Sequence, residues 1–136
     1  GDKGDTGTHV SIQETSQGAN IFNTSPVAKN WESIFPSKPI NIQRSSKVIV
    51  LVTGVIDFKP STPSELRLGI GTNVGDPNVW NKYQSANSAS DVYIPFSISG
   101  TLTLGSGSNN VYFLAKNDTG ASTITNATMI TIEIQE

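Results

Sequence analysis

Side-chain catalysis needs a nucleophile and a base within hydrogen-bond reach, and this chain supplies one histidine, His9, along its whole length. A Ser-His-Asp arrangement would place that imidazole in a pocket beside a serine and a carboxylate, but His9 directly follows a glycine-rich opening, a junction that builds no deep pocket. One histidine also removes His-rich metal sites, and the absence of cysteine removes disulfides, thiol chemistry and Cys-based zinc sites. Carboxylates for a glycosidase-type pair exist at Asp57, Glu65, Asp76, Asp91 and Asp118, but four of the five sit in or beside turn clusters, where acids serve turn geometry or solvation. Oxygen ligands for calcium gather at NVGDPN (73–78) and KNDTG (116–120), with too few carboxylates for an EF-hand loop, and Asx turns account for both. Gly69, Gly71 and Gly75 in LGIGTNVG lack phosphate-loop spacing, and no helical pattern follows them. The chain therefore reads as non-enzymatic, with no catalytic residue, no metal and no cofactor.

What remains is binding chemistry. The stretch 73–91, NVGDPNVWNKYQSANSASD, carries Trp80 and Tyr83 among amides and hydroxyls, and such a surface takes a glycan or a protein by stacking and hydrogen bonding. Trp80 and Tyr83 are the receptor-contact candidates, against the reading in which Trp80 fills the core of a short strand. Asn-X-Ser/Thr sequons at Asn23, Asn117 and Asn126 are expected by chance in a chain so rich in Asn, Ser and Thr.

The composition narrows the partners. Nine Lys and Arg against eleven Asp and Glu give a net charge of −2, and without a basic stripe nucleic acid is excluded as a partner. No apolar run reaches the roughly 18 residues of a membrane span. At 136 residues the chain has the length of one domain, and its 15% charged residues leave a surface that is polar but mostly uncharged.

The elements that must position these groups are strands. Short runs alternate apolar and polar residues with no convincing 3.6 period, predicting strands at 9–13, 19–22, 40–43, 46–58, 64–71, 79–83, 91–104, 110–117 and 125–135. Nine segments about ten residues apart, divided by Gly, Pro, Asn, Asp and Ser clusters, predict an all-β antiparallel β-sandwich or barrel. Two hairpins are expected, one through KPSTPS and one through GSGSNN, and Pro95 predicts an edge position or a bulge. In MITIEIQE the isoleucines 130, 132 and 134 share one face, expected to meet the core, and Thr131, Glu133 and Gln135 share the other, expected to meet water.

Two strands are apolar on both faces: Val48, Val50 and Val52 oppose Ile49 and Leu51, and Val111 and Phe113 oppose Tyr112 and Leu114. In a two-layer sandwich an outward apolar face needs cover, from loops of the same chain or from another subunit. Val48, Ile49, Val50, Leu51, Val52, Tyr112 and Leu114 are therefore the interface candidates. The opening GDKGDTG supports a subunit partner, because Gly1, Gly4 and Gly7 follow the Gly-X-Y period of a triple helix, which needs three parallel chains.

A glycine-triplet lead-in (1–7) before an all-β, cysteine-free domain (8–136) resembles the trimeric TNF-like jelly-roll heads carried on collagen-like stalks. Spore-surface collagen-like glycoproteins and phage tail fibres share this plan, and the chain is most similar to the C-terminal heads of the vertex spikes of tectiviruses, the membrane-containing bacteriophages. The resemblance implies a homotrimer on the virion surface, a structural and attachment module whose partners are its own copies, neighbouring capsid vertex proteins, or a host receptor or glycan. The alternative is a carbohydrate-binding or adhesin head on a bacterial or spore surface. Only Gly1, Gly4 and Gly7 carry over as stalk positions, and the triplets lack the proline that strengthens a triple helix.

Overall fold

A computed structural model of the chain describes residues 9–17, 22–23, 30–34, 38–43, 45–60, 63–86 and 89–135. The stalk positions Gly1, Gly4 and Gly7 lie outside these. Ten strands are present among the described residues: β1 (His9–Gln17), β2 (Phe22–Asn23), β3 (Glu32–Ser33), β4 (Lys38–Ile42), β5 (Ser46–Phe58), β6 (Ser64–Gly71), β7 (Val79–Ser85), β8 (Val92–Leu104), β9 (Gly107–Thr119) and β10 (Ser122–Gln135). The segments predicted at 46–58 and 64–71 coincide with β5 and β6. β3 has no counterpart in the sequence pattern, since two residues cannot display a period.

The pairings form two antiparallel sheets, one ordered β1-β10-β5-β8 with β2 also on β10, the other β3-β9-β6-β7 with β4 also on β9. From β5 onward the chain alternates between sheets, except at β6 and β7, which form a hairpin. This is the all-β antiparallel sandwich in jelly-roll order. The two expected hairpins are corrected here: β5 and β6, like β8 and β9, belong to different sheets, so the links through KPSTPS and GSGSNN cross the sandwich. Turn residues mark where a strand ends, but do not say whether the chain returns beside it or across the core. Pro95 lies on β8, an edge strand, where a missing N–H is tolerated.

The core fills the space between the sheets. Val48, Val50 and Val52 of β5 face Leu66, Leu68 and Ile70 of β6 and their neighbours, all without exposed surface. Phe96 of β8 stacks on Phe113 of β9 at 5.8 Å between ring centroids, and Tyr83 of β7 meets Phe96 edge-on at 6.2 Å, so aromatic contacts tie the sheets together.

β10 departs from expectation in a way that decides the outer surface. At its start Ile124 stands opposite Ile56, both buried, with Thr125 opposite Val55; Thr128 then pairs with Thr53, so three steps on β10 match two on β5. This is a one-residue β-bulge, and Asn126 within it has φ 52°, a left-handed conformation that asparagine tolerates. An odd insertion reverses which side chains face the core. Beyond it Met129, Thr131 and Glu133 oppose Val52, Val50 and Val48 in the interior, while Ile130, Ile132 and Ile134 turn outward and are half-buried. The expected facing of the isoleucines is thus reversed, because the bulge, and not the alternation, sets their side. Ser46 Oγ donates to Glu133 Oε2 at 3.4 Å in this buried setting.

Candidate interaction surfaces

The outer face of the first sheet is apolar along two adjacent strands. Ile132 of β10 stands opposite Ile49 of β5, and Ile130 opposite Leu51, with Ile134 beside them, all half-buried. On the flank towards β1, Val10 pairs with Ile134 and Ile12 with Ile132. On the other flank β8 places Ser99, Thr101 and Thr103 opposite Leu51, Ile49 and Lys47, all three exposed and polar. The apolar strip thus lies beside β1, the strand that continues from the glycine triplets.

Of the interface candidates, Val48, Val50 and Val52 require correction: each has no exposed surface and belongs to the interior of a single chain. Leu114 is also fully buried, but from the outer face of the second sheet. Its cross-strand partner is Gly69, and a Cβ built there would lie 2.8 Å from the Pro77 Cβ and 3.2 Å from Trp31. Pro77 and Trp31 therefore rest on the sheet beside Leu114, and the chain covers this face itself. Tyr112, opposite Gly71, remains half-buried. Ile49 and Leu51 keep their place on the outer surface.

The structure separates Trp80 from Tyr83. Tyr83 pairs with Leu66 on the interior side of β7, packs against Phe96, and its hydroxyl donates to the Ser97 carbonyl at 3.5 Å. Trp80 pairs with Gly69 on the outer side and is 45% exposed. The Arg67 guanidinium lies 4.8 Å from the centre of the Trp80 ring, and Trp31 meets it at 6.4 Å with a 60° tilt. Arg67 Nε is 2.7 Å from Asp118 Oδ2, an ion pair in which the N–H is not aimed at that oxygen. Further along, Glu65 Oε1 accepts from Gln84 Nε2 at 2.7 Å and lies 3.5 Å from Lys82 Nζ. Sequence reasoning missed Arg67 and Trp31. The signal for Arg67 was a cation in the otherwise apolar run LRLGI, two residues from a glycine that leaves room on its face.

The β5–β6, β7–β8 and β9–β10 connections lie at one end of the sandwich, opposite the end where β1 begins and β10 finishes. Here a groove of about 480 Å³ is lined by Ser64, Glu65, Gln84, Ser85 and Thr119. Beside it Lys59 Nζ bonds Asp57 Oδ2 at 2.8 Å and approaches Asp91 Oδ2 at 3.6 Å. The bond to Asp57 holds the Lys59 ammonium above its ordinary pKa of 10.5. Tyr93, opposite Asp57, is 65% exposed.

The carboxylates around this end are engaged by cations: Asp57 and Asp91 share Lys59, Glu65 lies against Lys82, and Asp118 against Arg67. At NVGDPN the Asn73 side-chain oxygen accepts from the Gly75 N–H at 3.0 Å, and at KNDTG the Asn117 amide donates to the Gly120 carbonyl at 2.9 Å. Among the described residues no group of three His, Asp or Glu is placed to hold a metal ion. Asn117 is buried, which removes one sequon from the surface, whereas Asn126 is exposed. The side chain of His9 lies outside the description.

No family model matches the chain, and no curated protein matches it. Among solved structures it is similar to the VP2 subviral particle of infectious bursal disease virus, at 9% identity and TM-score 0.44, over 92% of this chain and 36% of that one. It is also similar to the CBM22-1 xylan-binding domain of Xyn10C from Paenibacillus barcinonensis, at 12% identity and TM-score 0.40, over 91% of this chain and 81% of that one. A weaker likeness is to a Bacillus endospore appendage protein, at 14% identity and TM-score 0.27, over 93% and 86%. The chain spans about a third of the length of the VP2 chains it matches.

Proposed function

We propose that this chain is the head of a trimeric surface spike, a non-catalytic module that associates with two copies of itself through the outer face of its first sheet. The observation that carries the reading is the bulge at Asn126, which turns Ile130, Ile132 and Ile134 outward beside Ile49 and Leu51 while admitting Thr131 and Glu133 to the interior. Removing apolar surface from water contributes roughly 25 cal/mol per Å², so a sheet that turns isoleucines out and polar groups in gains most by covering that face. Copies of the same chain are the fitting occupant. The strip flanks β1, and β1 follows the glycine triplets, which as part of a triple helix would bring three chains to one axis.

In this arrangement the loops at the far end of the sandwich are presented three times over, and weak contacts there add by avidity. The place proposed for the assembly is a virion surface, as the resemblance to tectivirus vertex-spike heads implies, with a bacterial or spore surface as the alternative. Neighbouring vertex proteins and a host receptor are its proposed partners. Sedimentation of the full 136-residue chain at micromolar concentration tests the reading: a species of three times the chain mass is expected, and monomer alone overturns it.

A further inference from the structure

We propose that the outer face of β7, from Trp80 to the groove at Gln84, is a binding strip for a neutral oligosaccharide. This goes beyond self-association, which uses the other sheet. Trp80 is 45% exposed although Arg67 lies over its ring at 4.8 Å and Trp31 meets it at 6.4 Å. The Leu114 surface beneath is already sealed by Pro77 and Trp31, so burial of the core does not explain the exposed indole. A rigid, exposed aromatic plane receives the apolar face of a pyranose ring, with the hydroxyls left to polar neighbours at its rim.

Those neighbours follow in order along the strand. β7 sends Trp80, Lys82 and Gln84 to the same face, spanning about 13 Å at roughly 3.3 Å per residue. Lys82 and Gln84 converge on Glu65, giving ammonium, amide and carboxylate groups side by side, and the groove continues from them past Ser85 and Thr119. The charges decide the ligand class. Among the described residues of β6, β7 and β9, Arg67 is matched by Asp118 and Lys82 by Glu65, and Lys116 stands opposite Arg67 on β9, one strand further from β7. A face whose charges are balanced along the strip suits an uncharged saccharide better than a phosphate or an acidic peptide. β7 is also an edge strand, so a linear glycan reaches the strip without displacing a neighbouring strand.

The test is binding of fluorescently labelled full chain to an array of neutral and acidic glycans, followed by titration of the best neutral glycan against intrinsic tryptophan fluorescence. Neutral glycans should be retained; Trp80→Ala should weaken binding by roughly tenfold or more, and Trp80→Phe should keep most of it. Circular dichroism and sedimentation of both variants should match wild type, which separates this outcome from failure of the fold or of self-association. Retention of acidic glycans alone, retention of none, or undiminished binding by Trp80→Ala overturns the proposal.

Discussion

Ile132 stands directly opposite Ile49 on the outer face of the first sheet, while the residue after it, Glu133, stands opposite Val48 inside the sandwich. Introducing a charge at the outer pair strikes the apolar strip without touching the core. Ile132→Asp should leave the far-ultraviolet circular dichroism unchanged and shift the sedimenting species from trimer to monomer. A trimer that survives both Ile132→Asp and Ile49→Asp would place the subunit contact elsewhere.

Asn126 sets the reversal, and its φ of 52° is open to asparagine and glycine but strained for a β-branched residue. Asn126→Gly should be close to neutral. Asn126→Val should lower the unfolding free energy by about 1–3 kcal/mol in urea titrations. Equal stability of the two variants would show that the bulge relocates at no cost.

Gly69 allows Pro77 and Trp31 to lie flat on the second sheet. A methyl group at this position collides with the Pro77 ring, so Gly69→Ala should destabilise by about 1–3 kcal/mol. Tryptophan emission should shift to the red as Trp31 lifts from Leu114. An unchanged spectrum would mean that the cover does not depend on this close approach.

Lys59 holds its proton more tightly folded than unfolded, through Asp57 first and Asp91 second. A pKa raised in the folded state stabilises at all pH values below the ordinary 10.5 and loses that contribution as pH climbs through the raised value. Lys59 is 42% exposed, so the effect should be modest, about 1 kcal/mol or less. Wild type should therefore melt above Lys59→Met at pH 7, and the gap should close in strongly alkaline buffer. A gap that persists there would assign the difference to packing of the lysine stem.

The strands were legible because their alternation is local. Residues 46–58 and 64–71 show their period and their turn clusters in the sequence itself, and the outward apolar side of β5 was legible in Ile49 and Leu51. Three things were not. The expected hairpins failed because pairing across a sandwich is decided by core packing between distant segments. The isoleucines of β10 were placed on the wrong side because a single bulged residue reverses parity without disturbing the pattern on either side. Trp80 could be singled out by type, and its separation from Tyr83 was open to reading from their spacing of three on a strand, but its pairing with Arg67 depends on the register of β6 against β7.

β10 lies between β1 and β5 and follows both in the sequence. The first sheet is therefore split until its latest-synthesised strand is available: β5 and β8 can meet early, but β1 has no place to dock. Closure of this sheet must wait until nearly the whole segment has left the ribosome, with Ile49 and Val50 lying along an open edge in the meantime. Such late, long-range pairing is slow and leaves nascent chains prone to joining one another through that edge. Holding chains in parallel upstream, as a triple-helical lead-in would, brings partners together during this same interval, so the order of synthesis would govern whether the copies pair in register or tangle.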